Sequence, residues 1–115
     1  VTKLTDIHCE EPWFSLLRSG EKTVEGRKNS PKYSSLAEGE QIRFYCGDES
    51  FNCKITKINY YETLEAYLNE NLNSALPGIF SIREGKEIYC QWNTEDEINQ
   101  VGFLGINVEV TNKNN

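Results

Sequence analysis

The chain has 115 residues, a formal net charge of −6 and 37% apolar side chains, enough for one domain on a modest core but not for two independent ones. A core of that size leaves no room for a large enclosed cofactor such as a flavin or haem, and no run approaches the roughly 18 apolar residues of a membrane span. Residues 1–110 read as one domain and 111–115 as a polar tail, and the N-terminal VTKLTDIHCEE lacks the basic and apolar regions of a secretion signal, which predicts an intracellular, cytoplasmic protein.

Leu4 to Cys9 reads as a short strand. Glu10, Glu11 and Pro12 then open a helix with Trp13, Leu16 and Leu17 on one face, and Gly20 stops it. Thr23 to Lys28 alternates, with Thr23, Glu25 and Arg27 on one face and Val24 and Gly26 on the other, so a polar stripe faces a specific environment. After a turn around Ser30 and Pro31, Ile42, Phe44 and Cys46 alternate with Gln41, Arg43 and Tyr45, and residues 47–50 form a hairpin turn. The return strand keeps Phe51, Cys53 and Ile55 in phase but continues with Ile58 and Tyr60, a slip that predicts a bulge near Thr56 and Lys57.

Thr63 caps a helix with Leu64, Tyr67, Leu68 and Leu72 inward, which the polar run 69–74 is expected to end. Ser81 and Glu84 have capping-box spacing and open a helix with Ile82, Ile88, Tyr89 and Trp92 inward. Residues 93–100 read as an acidic connection, and Leu104, Ile106, Val108 and Val110 alternate in a closing strand. The expectation is a mainly β, α+β domain of about five to six strands and about three short helices. Hairpin connections dominate, which favours a curled antiparallel or mixed sheet over a doubly wound one.

The charge is unevenly placed. Residues 1–60 hold nine basic and nine acidic side chains, whereas residues 61–115 hold three basic and nine acidic. The one basic window, residues 18–32, sets Arg18, Lys22, Arg27, Lys28 and Lys32 against Glu21 and Glu25. So acidic a chain is a poor tracker of long nucleic acid, whose affinity rests on many phosphate contacts; a short single strand or a single nucleotide suits it better. Cys9, Cys46, Cys53 and Cys90 form no C-x-x-C pair and His8 is the one histidine, so no metal site is written. A hairpin here could bring Cys46 and Cys53 to face each other, but without a secretion signal all four thiols are expected reduced. A nucleophile pair from His8 and Cys9 is disfavoured, because neighbouring strand residues point to opposite faces.

Gly20-Glu21-Lys22-Thr23-Val24-Glu25-Gly26-Arg27 resembles the G-x-K-x-x-E-x-R signature of the ASCH domain, matching at all four positions. The flanks agree: an E-P-W-F-S-L-L-R-S-G helix before it, an E-G-E-Q-I-R-F strand after it, then L-P-G and a closing G-F-L-G-I-N-V strand, so the resemblance spans nearly the whole chain. It implies a PUA-like β-barrel with small helices, related to RNA-binding modules, with the motif lining a cleft; from the size of the core and the cysteine spacing, no cofactor is expected.

Physically, Glu25 and Arg27 can pair on one strand face while Lys22 swings into the same space. Glu25 would then accept from a base amine, and Lys22 and Arg27 would hold a phosphate or carbonyl. Tyr45 and Tyr61, out of phase with their apolar neighbours, are the stacking candidates; Trp13 and Trp92 read as core, and Gln91 and Asn107 as polar walls.

Four functions follow. The first is recognition of single-stranded RNA, or of a nucleoside or nucleotide, at Lys22, Glu25 and Arg27. The second is a small hydrolase like the N4-acetylcytidine amidohydrolase branch that the resemblance brings in, which uses a lysine, a threonine and a later glutamate. Glu25 stands at the threonine position here, so Glu25 would serve as acid and base with Lys22 stabilising the oxyanion. The third, also from the resemblance, is a metal-independent ribonuclease. The fourth is an interaction module whose acidic second half docks a basic protein partner.

Overall fold

The hydrophobic alternation of the chain is realised as five strands, and the computed structural model describes residues 3–112. β1 (Leu4–His8), β2 (Val24–Lys28), β3 (Gln41–Cys46), β4 (Glu49–Tyr61) and β5 (Phe103–Asn112) form one sheet in the order β1-β3-β4-β5-β2. β1 runs parallel to β3, and every other pairing is antiparallel. The mixed, curled sheet is a half-barrel whose two edge strands, β1 and β2, come back towards each other; the Arg27 guanidinium on β2 donates across the gap to the His8 carbonyl at 2.7 Å.

β3 and β4 meet through a two-residue turn at Gly47-Asp48, tighter than the four residues expected, with Gly47 at a φ of 60° that favours glycine. β4 carries the expected irregularity between Ile55 and Lys57, and a further one between Asn52 and Cys53. The bulge keeps both Ile55 and Ile58 against the core inside the half-barrel, where Ile7, Phe44, Phe51 and Ile106 are buried.

Among the described residues five helices surround the sheet instead of three: α1 (Trp13–Ser19), α2 (Pro31–Ser34), α3 (Leu64–Ala75), α4 (Ile82–Tyr89) and α5 (Glu95–Val101). α1 buries Phe14 and Leu17 in the barrel interior and ends on Gly20, whose N–H bonds the Leu17 carbonyl. α3 runs through the polar stretch that was expected to stop it. Its Asn71 is buried and donates to the Tyr67 carbonyl and the Tyr61 hydroxyl, while Leu72 and Ala75 continue the apolar face. Residues 95–101 are helical because Thr94 and Glu97 satisfy each other's backbone N–H groups and Ile98 is buried under the turn.

α4 stops at Tyr89, so Trp92 lies beyond it and is 70% exposed instead of inward. β5 includes Thr111 and Asn112, the start of the expected tail; 113–115 lie outside the described residues. No described helix is long and apolar enough to cross a membrane.

A second apolar cluster joins α3, α4 and α5 to β2 and β5 through Val24, Leu64, Tyr67, Leu68 and Phe103. Tyr67 reaches the sheet because Gly26 and Gly105, paired across β2 and β5, have no Cβ. A Cβ on Gly26 would lie 2.6 Å from Phe103 Cε2 and overlap the Tyr67 hydroxyl. Gly26→Ala should therefore destabilise the fold by about 2 kcal/mol or more, as overpacking of a rigid site does, read as a lower urea midpoint. Gly39→Ala serves as the control for backbone strain alone, since a Cβ there meets nothing within 4 Å and φ is 91°.

Candidate functional site

Three sequence neighbours meet where α1 hands over to β2. Gly20 turns the chain, the Lys22 N–H bonds the Leu16 carbonyl, and Thr23 joins the Ser74 carbonyl, which sends the Lys22 side chain inward until it is only 3% exposed. Its ammonium donates to the Val24 and Ala75 carbonyls, each at 2.6 Å, and stands 3.4 Å from Glu25 Oε1. Two of the three protons thus go to carbonyls, and the third side of the ammonium faces the carboxylate as an ion pair. On the far side of the same carboxylate, Arg27 Nε donates to Glu25 Oε2 at 2.7 Å, Nη1 to the Tyr33 hydroxyl at 3.0 Å and Nη2 to the His8 carbonyl. A guanidinium has five N–H groups, so Arg27 keeps donors to spare while Lys22 does not.

Glu25 is 6% exposed and lies between two cations. Burial alone would push its carboxyl up, but the charges of Lys22 and Arg27 overcome that and hold it below the ordinary carboxylate value. Burial draws Lys22 below the ordinary lysine value against the pull of Glu25, whereas for Arg27 the pull of Glu25 wins over burial and raises it. The neighbouring Cys9 thiol is pushed up to about 12, first by burial and then by Glu25, so it is no thiolate nucleophile at neutral pH.

The triad floors a cleft of about 700 Å³ that follows the edge of β2 and takes residues from both strand faces. Its walls are aromatic: Trp13 from α1, Tyr33 from α2, Tyr89 from α4 and Trp92 from the α4–α5 connection. The charged lining balances, with Glu10, Glu11 and Glu25 against Lys22, Arg27 and Lys28. Gln91 also lines the cleft, but Asn107 does not; it sits in the sheet opposite Val24, its carbonyl taking the Thr56 hydroxyl.

Tyr45 and Tyr61 stand apart from the triad. Tyr45 packs on His8 with ring centroids 5.4 Å apart, on the outer face of β3 beyond the cleft. Tyr61 lies against Tyr67 and bonds Glu70 and Asn71 on the α3 side. Of the aromatic groups the cleft does present, Trp13 packs partly against both apolar clusters, in keeping with its expected core place, whereas Trp92, expected inward, is exposed. Four cysteines are free, and among the described residues no cluster of His, Cys, Asp or Glu is suited to a metal ion.

The model of the ASCH domain matches residues 7–111. The fold is similar to the crystal structure of hypothetical protein PH0355, at 27% identity and a TM-score of 0.86 over 95% of this chain and 100% of that one. It is similar to the solution structure of PF0455 from Pyrococcus furiosus, at 25% identity and a TM-score of 0.77 over 94% and 97% of the two chains. The crystal structure of ASCH from Zymomonas mobilis shares the fold at 16% identity and a TM-score of 0.68, over 93% of this chain and 67% of that one. No curated protein sequence matches. The chain belongs to the ASCH domain family.

The buried triad has a stability signature. Glu25→Gln leaves two cations without their shared counter-charge and should cost about 3–5 kcal/mol at neutral pH. Because the folded Lys22 releases its proton more readily than the unfolded one, stability of the variant should rise with pH towards the lysine range, and the deficit should shrink without vanishing, Arg27 remaining charged. In the native chain the Glu25 contribution is present above the ordinary carboxylate value and is lost as pH falls through the lowered one. Urea titrations at about pH 4, 7 and 9 check both signs.

Proposed function

We propose that this ASCH domain binds a nucleoside, or a single nucleotide of single-stranded RNA, in the aromatic cleft beside Lys22, Glu25 and Arg27. What supports the reading is the pairing of aromatic walls with a fixed polar floor in a cavity of about 700 Å³, within the size range of small-molecule pockets. Flat bases stack on tryptophan and tyrosine whatever their sequence, and hydrogen bonds at the floor choose among them. Glu25, held ionised, accepts from a base N–H; Arg27 donates its unspent N–H groups to a carbonyl or phosphate oxygen. Lys22 acts from behind, keeping Glu25 charged and in place, since its own protons are spent. With three acids against three cations in the lining, an uncharged ring or a single phosphate suits the site better than a polyphosphate chain.

Hydrolysis is the second reading, favoured by one observation: burial draws Lys22 down in the direction a general base requires. Two carbonyls at 2.6 Å work against it, because the ammonium must leave them to take up a substrate proton. Release of cytidine from N4-acetylcytidine, followed by mass, separates the two readings.

Both tryptophans of the chain line the cleft, so intrinsic fluorescence reports its occupancy. Uridine, cytidine, adenosine and guanosine should each be tested for quenching, with at least one binding. Trp92→Ala should weaken that binding about fivefold or more and leave Tm unchanged, because the side chain is 70% exposed. A short RNA should show a log-log salt slope of only about −0.7 to −1.4, one or two phosphates on Arg27 and Lys28. Absence of nucleoside quenching, or affinity that climbs with RNA length and collapses with salt, would refute the reading.

A further inference from the structure

Behind the triad two tyrosine hydroxyls touch. Tyr67 on α3 and Tyr89 on α4 bring their oxygens to 2.8 Å, in an edge-to-face pair with ring centroids 5.5 Å apart. The two differ in what else surrounds them. Tyr67 is 0% exposed, its hydroxyl is pressed against Gly26, and among the described residues that hydroxyl has no partner except Tyr89. Tyr89 is half-buried and lines the same cleft as Glu25, Arg27 and Cys9. Two hydroxyl protons share a single hydrogen bond.

The direction of that bond follows from the cost of stranding a donor. A buried O–H with no acceptor loses its hydration without compensation, whereas an O–H at a cleft wall is met by water or ligand. Tyr67 therefore donates and Tyr89 accepts, and the Tyr89 proton is turned out towards the cleft. A phenol keeps its proton through the physiological range, so Tyr89 remains a donor there. Tyr67 thus sets the polarity of Tyr89.

Resting on the nucleoside reading above, we propose that Tyr89 is a specificity-determining hydrogen-bond donor that meets an acceptor atom of the bound base, a ring carbonyl or an unprotonated ring nitrogen, beside the N–H that Glu25 accepts. The floor then presents an acceptor and a donor in fixed places, which selects a base edge with the complementary order and rejects one whose acceptor is alkylated or protonated. A site that hydrogen-bonds a ligand atom in this way discriminates more sharply than an apolar wall, because the wrong ligand leaves a polar group unpaired.

Phenylalanine exchanges at the two tyrosines separate this role from a structural one. Tyr67→Phe and Tyr89→Phe each remove the shared bond, and Tyr89→Phe should lower Tm more, because it also strands the buried Tyr67 hydroxyl. Only Tyr89→Phe should weaken the tightest-binding of the four unmodified nucleosides, about three- to tenfold by tryptophan quenching, while Tyr67→Phe stays within about twofold. Should Tyr89→Phe fold poorly, the double variant Tyr67→Phe/Tyr89→Phe strands no hydroxyl, and its affinity is compared with that of Tyr67→Phe. Equal affinities in either comparison overturn the proposal while leaving the nucleoside reading intact. If no nucleoside quenches the native protein, the nucleoside reading fails and the proposal falls with it.

Discussion

A single carboxylate, Glu25, holds two cations that would otherwise oppose both each other and their burial. Lys22 reaches it from the end of α1 and Arg27 from its own strand, and each carries further bonds to another part of the chain: Ala75 at the end of α3, His8 on β1, Tyr33 on α2. The positions of α1, α2, α3, β1 and β2 are thereby referred to one pair of oxygen atoms. A buried ion pair is seldom a source of net stability against an apolar replacement. Its value here is positional, because a guanidinium or ammonium with fixed acceptors admits few alternative arrangements of the elements that supply them.

The same bonds join the fold to the site. A half-barrel has two free edges, and exposed edges invite pairing with other chains. Between β1 and β2 the gap is spanned by the Arg27 side chain, which donates to the His8 carbonyl, and beside it Lys32 of α2 donates to the Asp6 carbonyl at 3.1 Å. Bridging by side chains leaves room beside the seam that a backbone ladder would have filled, and the cleft occupies that room. Its floor is consequently built from groups already immobilised for structural reasons, which is the preorganisation that ligand recognition requires.

Much of this was legible in the chain because local rules and tertiary demands agreed. The alternation of Thr23 to Lys28 puts Glu25 and Arg27 on one face, the slip at Thr56 and Lys57 is the observed bulge, and Thr63 caps α3 by accepting the Ala66 N–H. Elsewhere two local rules compete along the same stretch of chain. Polar residues 69–74 looked like a helix end because Asn71 is a poor helix former, yet its side chain finds Tyr61 and the Tyr67 carbonyl. Residues 93–100 looked like a solvated acidic connection although Thr94-x-x-Glu97 with Ile98 is a helix start. Trp92 was assigned inward by extending the period of α4 past the point where the helix stops. For Tyr45 the phase was right, and it is exposed on the outer face; which exposed aromatic borders a cleft is settled by elements far apart in sequence, and no local pattern carries that.

The saturation of Lys22 shapes how such a site can change over generations. Losing the glutamate first strands two charges, and losing the lysine first strands the two carbonyls that it serves, so each single step descends into a poorly folded intermediate. The triad is therefore difficult to erase by gradual substitution even in a lineage that has abandoned its ligand. The walls are free of that constraint, since Trp92 and Gln91 are solvent-facing and hold nothing else together. A descendant chain can exchange one ligand for another by altering the rim while its signature stays intact, so a shared signature marks common ancestry of the scaffold more securely than common cargo.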